Sequence, residues 1–226
     1  MIGDPTRLVV RRRFPRLGPD ELAPFRERPT SFVADALNGK GVLDPGIKPL
    51  DVGMRFAGSA LTVSTGARDN LAALASLDFA QPGDVLVFGA GGHTGAACVG
   101  DILVKIAKAK GVAAIVTDGA VRDVDDILPL GLPVFCRAIT PSSAFPSGPG
   151  EIGLPMAIGD VAIEPGDLIM GDRDGVVVVA RAQLAAIKAR LDDVIAKEAE
   201  LQAKVDAGEV RSLFPAAFKD QVTYLD

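Results

Sequence analysis

One arginine and two aspartates have the chemistry to bind a metal ion and an organic acid together. Asp101 follows Gly100, and Arg122 and Asp123 are adjacent further along the chain. An arginine can grip a carboxylate through two parallel hydrogen bonds. A neighbouring aspartate can hold Mg²⁺, which prefers oxygen ligands and often keeps several waters. Together they would bind a 2-oxo acid by charge at one end and by a metal at its carbonyl.

The same residues also have a purely structural interpretation. Asp123 followed by Asp126 is typical of a helix N-terminus with a capping-box partner. Arg122 could simply pair with a surface carboxylate. Spacing alone therefore leaves both interpretations open.

Two predicted elements would have to position these side chains. Asp101 lies in a predicted helix over residues 96–110, closed by Gly111. The Arg122–Asp123 pair comes just after a predicted buried strand over residues 113–117. Since binding sites in α/β folds gather at the carboxyl ends of strands, the pair is well placed for function.

The remaining pattern predicts short strands and helices around one repeated turn. Pro82-Gly83-Asp84 and Pro165-Gly166-Asp167 each feed an apolar strand, with glycine where a type II turn needs a positive φ. Further helices are predicted over residues 32–37 (capped by Ser31), 70–79 (capped by Asp69) and 183–207, and strands over 59–64, 85–88, 132–139, 168–170 and 176–180. Residues 140–153 are expected to form an ordered loop. Alternation in the middle and consecutive strands over residues 158–180 favour an α/β or layered β/β/α domain.

Composition narrows the class of protein. The 226 residues are 48% hydrophobic, which allows one large domain with a sizeable core. The net charge of −5 argues against nucleic acid as the main ligand. No apolar run is long enough for a membrane span, and no apolar segment follows the arginines of residues 7–13, so we expect a cytoplasmic protein with an ordered N-terminal arm. Cys98 and Cys136 are expected to be reduced, partly buried thiols.

An ordered series of phrases over about residues 30–208 resembles the RraA-like family, which includes 4-hydroxy-4-methyl-2-oxoglutarate and 4-carboxy-4-hydroxy-2-oxoadipate aldolases. The phrases are Ala34-Asp35-Ala36-Leu37, Pro82-Gly83-Asp84-Val85-Leu86-Val87, Gly100-Asp101, Asp118-Gly119-Ala120-Val121-Arg122-Asp123, Leu132-Pro133-Val134-Phe135, Pro165-Gly166-Asp167 and Gly171-Asp172-Arg173-Asp174-Gly175-Val176. The enzymes of that family carry an aspartate, twenty further residues, an Arg-Asp pair and an acidic residue three places beyond. Asp101, Arg122, Asp123 and Asp126 satisfy this spacing.

The resemblance implies a fold and a role for each site residue. The fold would be a single layered β/β/α domain of the swivelling type over residues 1–226, with a long C-terminal helix. Asp123 would be the metal ligand, for Mg²⁺, Mn²⁺ or another divalent cation, and Arg122 would contact the substrate. Asp101 would hold a water that acts as the base. The pyruvyl carboxylate would be received by the backbone of Gly100, Asp101, Ile102 and Leu103, where a helix start offers free N–H groups.

The resemblance also implies a reaction and an assembly. A class II, metal-dependent aldolase would cleave 4-hydroxy-2-oxo acids of the 4-hydroxy-4-methyl-2-oxoglutarate type to pyruvate, and would decarboxylate oxaloacetate through the same enolate. The chain would form a homotrimer or a homohexamer, in which Glu198 or Glu200 is the acid from a neighbouring subunit. Both glutamates are equally typical of a solvated helix face. The tail after Gly208, with Phe214, Phe218 and Tyr224, departs from the aldolases and leaves the physiological substrate open.

Other chemistries are weaker readings of this sequence. Some relatives are non-catalytic proteins that regulate a ribonuclease by protein contact, and for these the Arg-Asp pair would be inherited scaffold. His93, in a glycine-rich loop, lacks a nucleophile elbow and is expected to face solvent. A Schiff base on Lys105, Lys108 or Lys110 would allow a metal-free aldolase, but that spacing is typical of a solvated helix face.

Overall fold

A mixed β-sheet is the framework of the computed structural model, which describes residues 6–209 and 214–225. The strands are β1 (Leu8–Val10), β2 (Lys48–Pro49), β3 (Phe56–Ser64), β4 (Asp84–Gly89), β5 (Ala97–Val99), β6 (Ala114–Thr117), β7 (Ala120–Val121), β8 (Val134–Cys136), β9 (Ala138–Ile139), β10 (Gly150–Ile152), β11 (Met156–Ile158), β12 (Val161–Ile163), β13 (Leu168–Asp172) and β14 (Gly175–Val179). The helices are α1 (Pro19–Leu22), α2 (Thr30–Ala36), α3 (Leu71–Ser76), α4 (Asp101–Ala109), α5 (Val124–Ile127) and α6 (Leu184–Asp206), with short 3₁₀ turns at Leu128–Leu130, Arg181–Gln183 and Ala216–Gln221. The predicted domain also covers residues 1–5, 210–213 and 226, which lie outside the described residues.

The main sheet has the strand order β1-β10-β3-β4-β6-β8-β2. Strand β13 lies off this path and pairs with both β3 and β14. Strands β3, β4, β6 and β8 are parallel neighbours. Alternate side chains of β4 enter different cores, since successive residues of a strand point to opposite faces. Leu86 and Phe88 pack in one apolar cluster, and Val85 and Val87 in another.

Helices and further strands cover the two faces of this sheet. The core that contains Leu86 also takes in side chains of α3 and α4, such as Ala72 and Val104. The opposite core takes in Ile158 and Ile163 from the β11–β12 hairpin. A third cluster joins α2 and the first half of α6 to the β13–β14 hairpin. The predicted layered α/β architecture with a long C-terminal helix is therefore confirmed.

The repeated Pro-Gly-Asp turn is built as predicted. Gly83 and Gly166 have φ of 87° and 91°, and each aspartate returns its side chain to the start of its turn. Asp84 accepts a hydrogen bond from the backbone N–H of Gln81 at 2.9 Å, and Asp167 accepts one from Glu164 at 2.8 Å. The two turns launch β4 and β13, which pair with β3 on its two sides.

Two predicted elements are wrong in a way that matters for the site. The first residues of the predicted helix 96–110 form strand β5, and α4 begins only at Asp101. The predicted strand 132–139 is two strands, since the chain leaves the main sheet at Arg137, whose N–H donates to Gly119 O. Strands of two or three residues are too short for a periodic pattern to distinguish them from their neighbours.

Two helix starts also differ from prediction. Helix α2 begins at Thr30 rather than after a Ser31 cap, because Asp172, distant in sequence, accepts bonds from Thr30 N and Oγ1 at 2.8 and 2.6 Å. Helix α3 has Asn70 as its N-cap, while Asp69 accepts a bond from Leu71 N at 2.8 Å.

The arm around the N-terminal arginines is ordered at β1, which pairs with β10. Within the described ranges, none of the helices has both the length and the apolar surface to cross a membrane.

Candidate active site

The residues expected to do chemistry meet at one edge of a small, separate parallel sheet, β5-β7-β9. Gly100 and Asp101 follow β5, and Arg122 and Asp123 follow β7. Ser143 comes shortly after β9. Since the carboxyl ends of parallel strands share an edge, these three connections come together there.

The Arg-Asp pair does follow a buried strand, but that strand is β7 of the small sheet and not the predicted strand over residues 113–117. Strand β6 stops at Thr117, and the buried Asp118 then accepts bonds from Ala90 N and Gly92 N at 2.6 and 2.8 Å. Asp118 thus fixes the glycine-rich loop at the edge of the main sheet. The chain turns at Gly119 and forms β7 before it reaches Arg122.

Helix α4 opens without a side-chain cap. Gly100 is its N-cap in an extended conformation, with φ of −135° and ψ of 178°. The bond from Val104 N to Gly100 O, at 3.2 Å, is the one that closes the first turn. The N–H groups of Asp101, Ile102 and Leu103 precede that bond, so carbonyls of the helix cannot accept them. Such a helix start favours an anion.

The Arg-Asp pair lies against this helix start. A Cβ atom on Gly100 would come within 2.9 Å of Asp123 Oδ2 and 3.3 Å of Arg122 Nε. The two side chains form an ion pair, with 3.1 Å between Arg122 Nε and Asp123 Oδ2. A terminal nitrogen of the same guanidinium donates to Ser143 Oγ. The guanidinium is therefore fixed from two sides.

Asp123 has a strained backbone. Its φ of 61° and ψ of 40° lie in the left-handed region, which costs a non-glycine residue about 1 kcal/mol. It precedes α5, but its carboxylate makes no capping bond, so the capping-box interpretation with Asp126 is wrong. Strain of this kind is often found at functional sites. Here it turns the carboxylate towards Arg122 and Gly100.

Asp101 is held as an anion. Lys105, one turn along α4, places its Nζ 2.9 Å from Asp101 Oδ2. That hydrogen bond is the main cause that lowers the pKa of Asp101 below 3.8, and the Ile102 N–H and the charge of Arg122 act in the same direction, against a smaller effect of desolvation. The pKa of Lys105 is raised by the same contact. A Schiff-base role needs a neutral amine, so the structure disfavours Lys105 in that role.

These groups line one cleft of about 210 Å³, which we call the α4 cleft. It is lined by Asn70, Leu74, Leu77, Ala97, Cys98, Gly100, Asp101, Ile102, Leu103, Ile106, Arg122, Ser143 and Ala144. Asp123 does not line the cleft itself but is joined to it through its ion pair with Arg122. The structure thus brings Asp101 and Arg122 into one cleft and pairs Asp123 with Arg122, while the roles of the three residues stay predictions.

Two polar residues of the α4 cleft were not predicted. Ser143 gave no signal, because it lies in a loop and acts through a side chain distant in sequence. Asn70 was assigned to a helix start, but its Oδ1 is enclosed in the wall without a hydrogen-bond partner among the described residues. The carboxylate of Asp69 fixes this wall, since it accepts bonds from Ser147 N and Gly148 N at 2.7 and 2.6 Å as well as from Leu71 N.

The ligand atoms present suit a divalent cation that keeps several water ligands better than one coordinated entirely by protein side chains. Within the described residues, no group of three or more His, Cys, Asp or Glu residues could hold a metal ion. Asp123 is 34% exposed, and its ion pair with Arg122 uses Oδ2. The other carboxylate oxygen is therefore available to a cation. Mg²⁺ often binds through one or two carboxylates and keeps several waters, which suits this arrangement.

The other predicted residues lie away from the α4 cleft, with the exception of Cys98, which lines it. Glu198 and Glu200 are exposed on α6 and do not line it, so their role at a neighbouring subunit stays a prediction. His93 is half-buried with its Nε2 enclosed, so the expectation that it faces solvent is wrong. Cys98 and Cys136 are buried free thiols, as predicted. Burial raises the pKa of Cys98 to about 11, which leaves it protonated at neutral pH.

Known proteins share both the sequence and the architecture of this chain. Over 164 residues the chain is 42% identical to a Halalkalibacterium halodurans protein named "Putative 4-hydroxy-4-methyl-2-oxoglutarate aldolase". The match covers 73% of this chain and 78% of that protein. An uncharacterized protein of Pseudomonas syringae pv. tomato superimposes with a TM-score of 0.76 at 27% identity, over 86% and 96% of the two chains. Streptomyces coelicolor RraAS2, titled an unusual member of the RNase ES inhibitor RraA protein family, gives a TM-score of 0.72 at 31% identity, over 86% and 100%.

The family model described as RraA-like, Aldolase/RraA, matches residues 30–178, which hold every residue of the α4 cleft and Asp123. Strands β2 to β13, both Pro-Gly-Asp turns and the cleft at the start of α4 lie in this segment. This chain belongs to the RraA-like family.

Proposed function

We propose that this protein is a divalent-metal-dependent lyase that cleaves 4-hydroxy-2-oxo acids, the class that includes 4-hydroxy-4-methyl-2-oxoglutarate, to pyruvate. The observation that carries the proposal is the meeting of Asp101, Arg122 and Asp123 at the uncapped start of α4. The name of the Halalkalibacterium halodurans relative supports the same chemistry.

Binding of the substrate begins at its carboxylate. The N–H groups of residues 101–103 and the positive end of the helix dipole would receive this anion. Arg122 would lie beside it, because Ser143 and Asp123 fix the guanidinium at the margin of the cleft. Held there at one end, the substrate would present its ketone towards Arg122 and Asp123.

Asp123 would hold the divalent cation. A bound Mg²⁺ or Mn²⁺ would supply Lewis acidity to the carboxylate and ketone oxygens of the substrate. Arg122 would add a fixed positive charge beside the ketone oxygen, where negative charge develops as the bond breaks.

Asp101 would organise the proton transfer. As an anion it accepts a hydrogen bond from a water, and that water takes the proton of the 4-hydroxyl group while it passes one of its own protons to Asp101. The C3–C4 bond then breaks, carbon 4 leaves as a carbonyl compound, and its bonding electrons pass to the enolate of pyruvate. The enolate takes a proton at carbon 3. An acid from a neighbouring subunit, Glu198 or Glu200 in a homotrimer or homohexamer, would supply that proton directly or would hold a water that supplies it.

Oxaloacetate decarboxylation follows from the same arrangement. Loss of CO₂ from oxaloacetate leaves the same pyruvate enolate, which Arg122 would stabilise in the same way. The 4-hydroxyl proton is absent from this reaction. We therefore expect removal of Asp101 to impair aldol cleavage more than decarboxylation.

A coupled assay of pyruvate tests the proposal. The full chain would be incubated with 4-hydroxy-4-methyl-2-oxoglutarate, 4-carboxy-4-hydroxy-2-oxoadipate and oxaloacetate, and pyruvate followed with lactate dehydrogenase and NADH. We expect release that stops with EDTA and returns with Mg²⁺ or Mn²⁺. Release that EDTA leaves unchanged would refute the metal, and no release from any 2-oxo acid would refute the lyase.

A protein-binding regulator of a ribonuclease is the second candidate. It is favoured by the description of Streptomyces coelicolor RraAS2 as a member of an RNase inhibitor family. For that function the α4 cleft would be unused. Inhibition of an RNase E-type enzyme by the purified chain, with no pyruvate from any substrate, would support it.

A further inference from the structure

We infer that Asn70 binds the carboxylate on carbon 4 of the substrate and thereby makes the α4 cleft selective for 2-oxo acids that carry a second carboxylate there. This role rests on the proposed function, because it concerns the substrate of the same site. The compound 4-hydroxy-4-methyl-2-oxoglutarate carries such a carboxylate, so the inference names the residue that recognises the far end of this substrate class.

The side chain of Asn70 takes no part in capping its helix. An asparagine at the N-cap ordinarily accepts a hydrogen bond from one of the first helical N–H groups. Asn70 holds this position at the start of α3, with φ of −134° and ψ of 12°, but its side chain makes no capping bond. Asp69 accepts the bond from Leu71 N in its place. The start of the helix therefore does not account for the asparagine.

The amide of Asn70 has an unsatisfied polar atom at the wall of the α4 cleft. Asn70 lines the cleft, and its Oδ1 is enclosed without a hydrogen-bond partner among the described residues. An enclosed polar atom without a partner is unfavourable and needs an explanation. The terminal torsion of asparagine is broad, so the amide can turn to present its N–H donors to a bound molecule. These features indicate a contact with a ligand.

The other groups of the cleft that attract an anion are engaged at the first end of the substrate. Arg122, the cation that Asp123 would hold and the free N–H groups of residues 101–103 would contact the first carboxylate and the ketone. Ser143 Oγ accepts a bond from Arg122, which leaves its hydroxyl group one hydrogen to donate. The amide of Asn70 brings two N–H donors, and a hydrogen bond to an ionised acceptor is about twice as strong as a neutral one.

Asn70 reaches the cleft from a different segment than the groups that would bind the first carboxylate. Those groups lie at the start of α4 and after β7, whereas Asn70 precedes α3 and donates its backbone N–H to Phe145 O at 3.4 Å. Both segments line one cleft of about 210 Å³, a size for a single small acid. The two carboxylate carbons of 4-hydroxy-4-methyl-2-oxoglutarate are four bonds apart, so they need separate binding groups. Asn70 supplies the second.

A pair of unreactive acids tests this role without catalysis. In 2-oxoglutarate carbon 4 carries a carboxylate but no hydroxyl group, so retro-aldol cleavage is impossible. In 5-methyl-2-oxohexanoate an isopropyl group of similar shape replaces that carboxylate. Isothermal titration of the full chain with each acid, at saturating MgCl₂, gives the two Kd values. We expect 2-oxoglutarate to bind at least about tenfold more tightly, as a hydrogen bond to a charged group provides.

Two substitutions of Asn70 should lower this ratio of affinities. Asn70→Ala removes the donors, and Asn70→Asp keeps the shape but repels the carboxylate. We expect the ratio to fall by about tenfold in Asn70→Ala and further in Asn70→Asp, with less than about a threefold change in the Kd of 5-methyl-2-oxohexanoate. The melting temperature should change little, because the side chain does not cap α3.

Asn38→Asp is the matched control for the added charge. Asn38 is exposed and does not line the α4 cleft. Its φ of 55° is left-handed, a conformation that aspartate also tolerates. We expect this variant to leave the ratio of affinities unchanged.

The outcomes separate this role from the proposed function. Equal weakening of both acids in the Asn70 variants, or an unchanged ratio, overturns the role of Asn70 even where the pyruvate assay supports the lyase. A wild-type chain that fails to bind 2-oxoglutarate, or that binds the isopropyl acid as tightly, overturns it as well. A ratio that falls as expected, with no pyruvate from any 2-oxo acid, supports the carboxylate site and refutes the lyase.

Discussion

The Oδ2 atom of Asp123 lies 2.9 Å from the position that a Cβ atom on Gly100 would occupy. The start of α4 and the Arg-Asp pair are therefore in contact because residue 100 has no side chain. The contact brings the anion-binding N–H groups beside the carboxylate proposed to hold the metal. Four predictions concern this contact and its surroundings, and a fifth concerns an ion pair elsewhere in the fold.

Gly100→Ala should lower kcat/KM for pyruvate release by about tenfold or more, since a displacement of about 1 Å at a reacting centre costs up to a hundredfold. The added carbon must push back Asp123 and Arg122, while Ala fits the extended φ of residue 100. The melting temperature should change little. Gly18→Ala is the control, because its nearest neighbour would be 3.9 Å away. Unchanged kcat/KM in Gly100→Ala would contradict the required contact.

Asp123→Asn should remove metal binding and at least about 99% of turnover, because the amide lacks the negative charge that a hard cation prefers. Asn tolerates a left-handed backbone, so the fold should persist. Isothermal titration with MnCl₂ measures the binding directly. Asp125→Asn is the matched control, an exposed acid on α5 that does not line the α4 cleft. Normal Mn²⁺ affinity in Asp123→Asn would exclude Asp123 as the ligand.

The pH dependence should show an ionised Asp101 throughout the neutral range. Its folded-state pKa is lowered below the ordinary value of 3.8, chiefly by Lys105. A carboxyl group with a lowered folded-state pKa stabilises the folded protein above its unfolded-state pKa, and this contribution is lost as the pH falls through the folded-state pKa. The same titration of Asp101 removes the charge that the reaction needs. Lys105→Met should therefore move the acidic limb of the kcat/KM profile to higher pH. A limb at the same pH in both proteins would show that Lys105 does not set the charge of Asp101.

Ser143 should act as a positioning residue for Arg122. Arg122→Ala should abolish most turnover, since it removes a charge that the transition state needs. Ser143→Ala should raise KM severalfold and lower kcat less, because the guanidinium stays but is held less firmly. Ser143→Thr keeps the hydroxyl and should restore KM. An equal rise of KM in Ser143→Ala and Ser143→Thr would contradict a role through the hydroxyl group.

A buried ion pair far from the cleft should affect stability alone. Arg16 Nε lies 2.7 Å from Asp84 Oδ1, and Asp84 is fully buried. Arg16→Met should lower the free energy of unfolding by about 3 kcal/mol, because a buried charge loses its partner. Thermal unfolding should move down by roughly 6–12 °C with kcat/KM unchanged. Arg55→Met is the control, since its pair with Glu27 is 3.6 Å long and exposed, and such pairs contribute below about 1 kcal/mol.

The sequence predicted the elements whose signals are local. The two Pro-Gly-Asp turns, strands β3, β4 and β6 and helix α6 follow from turn residues and from periodic apolar patterns. The resemblance to the RraA-like family predicted that Asp101, Arg122 and Asp123 would share a site, and the structure brings Asp101 and Arg122 into one cleft with Asp123 paired to Arg122. The turns, strands and helix depend on residues that are close together in the chain, and the site residues were identified from the spacing that the family shares.

Long-range contacts determined the rest of the site. Strands β5, β7 and β9 hold two or three residues each, so their pairing in a second sheet depends on partners that no local pattern reveals. Ser143 reaches Arg122 because its loop is tied at Ser147 and Gly148 to the carboxylate of Asp69. The sequence by itself thus determined which groups are the candidates for the chemistry. Only the tertiary structure decided where they meet and which apolar side chains surround them, since strand pairing and loop closure join residues that are far apart in the chain.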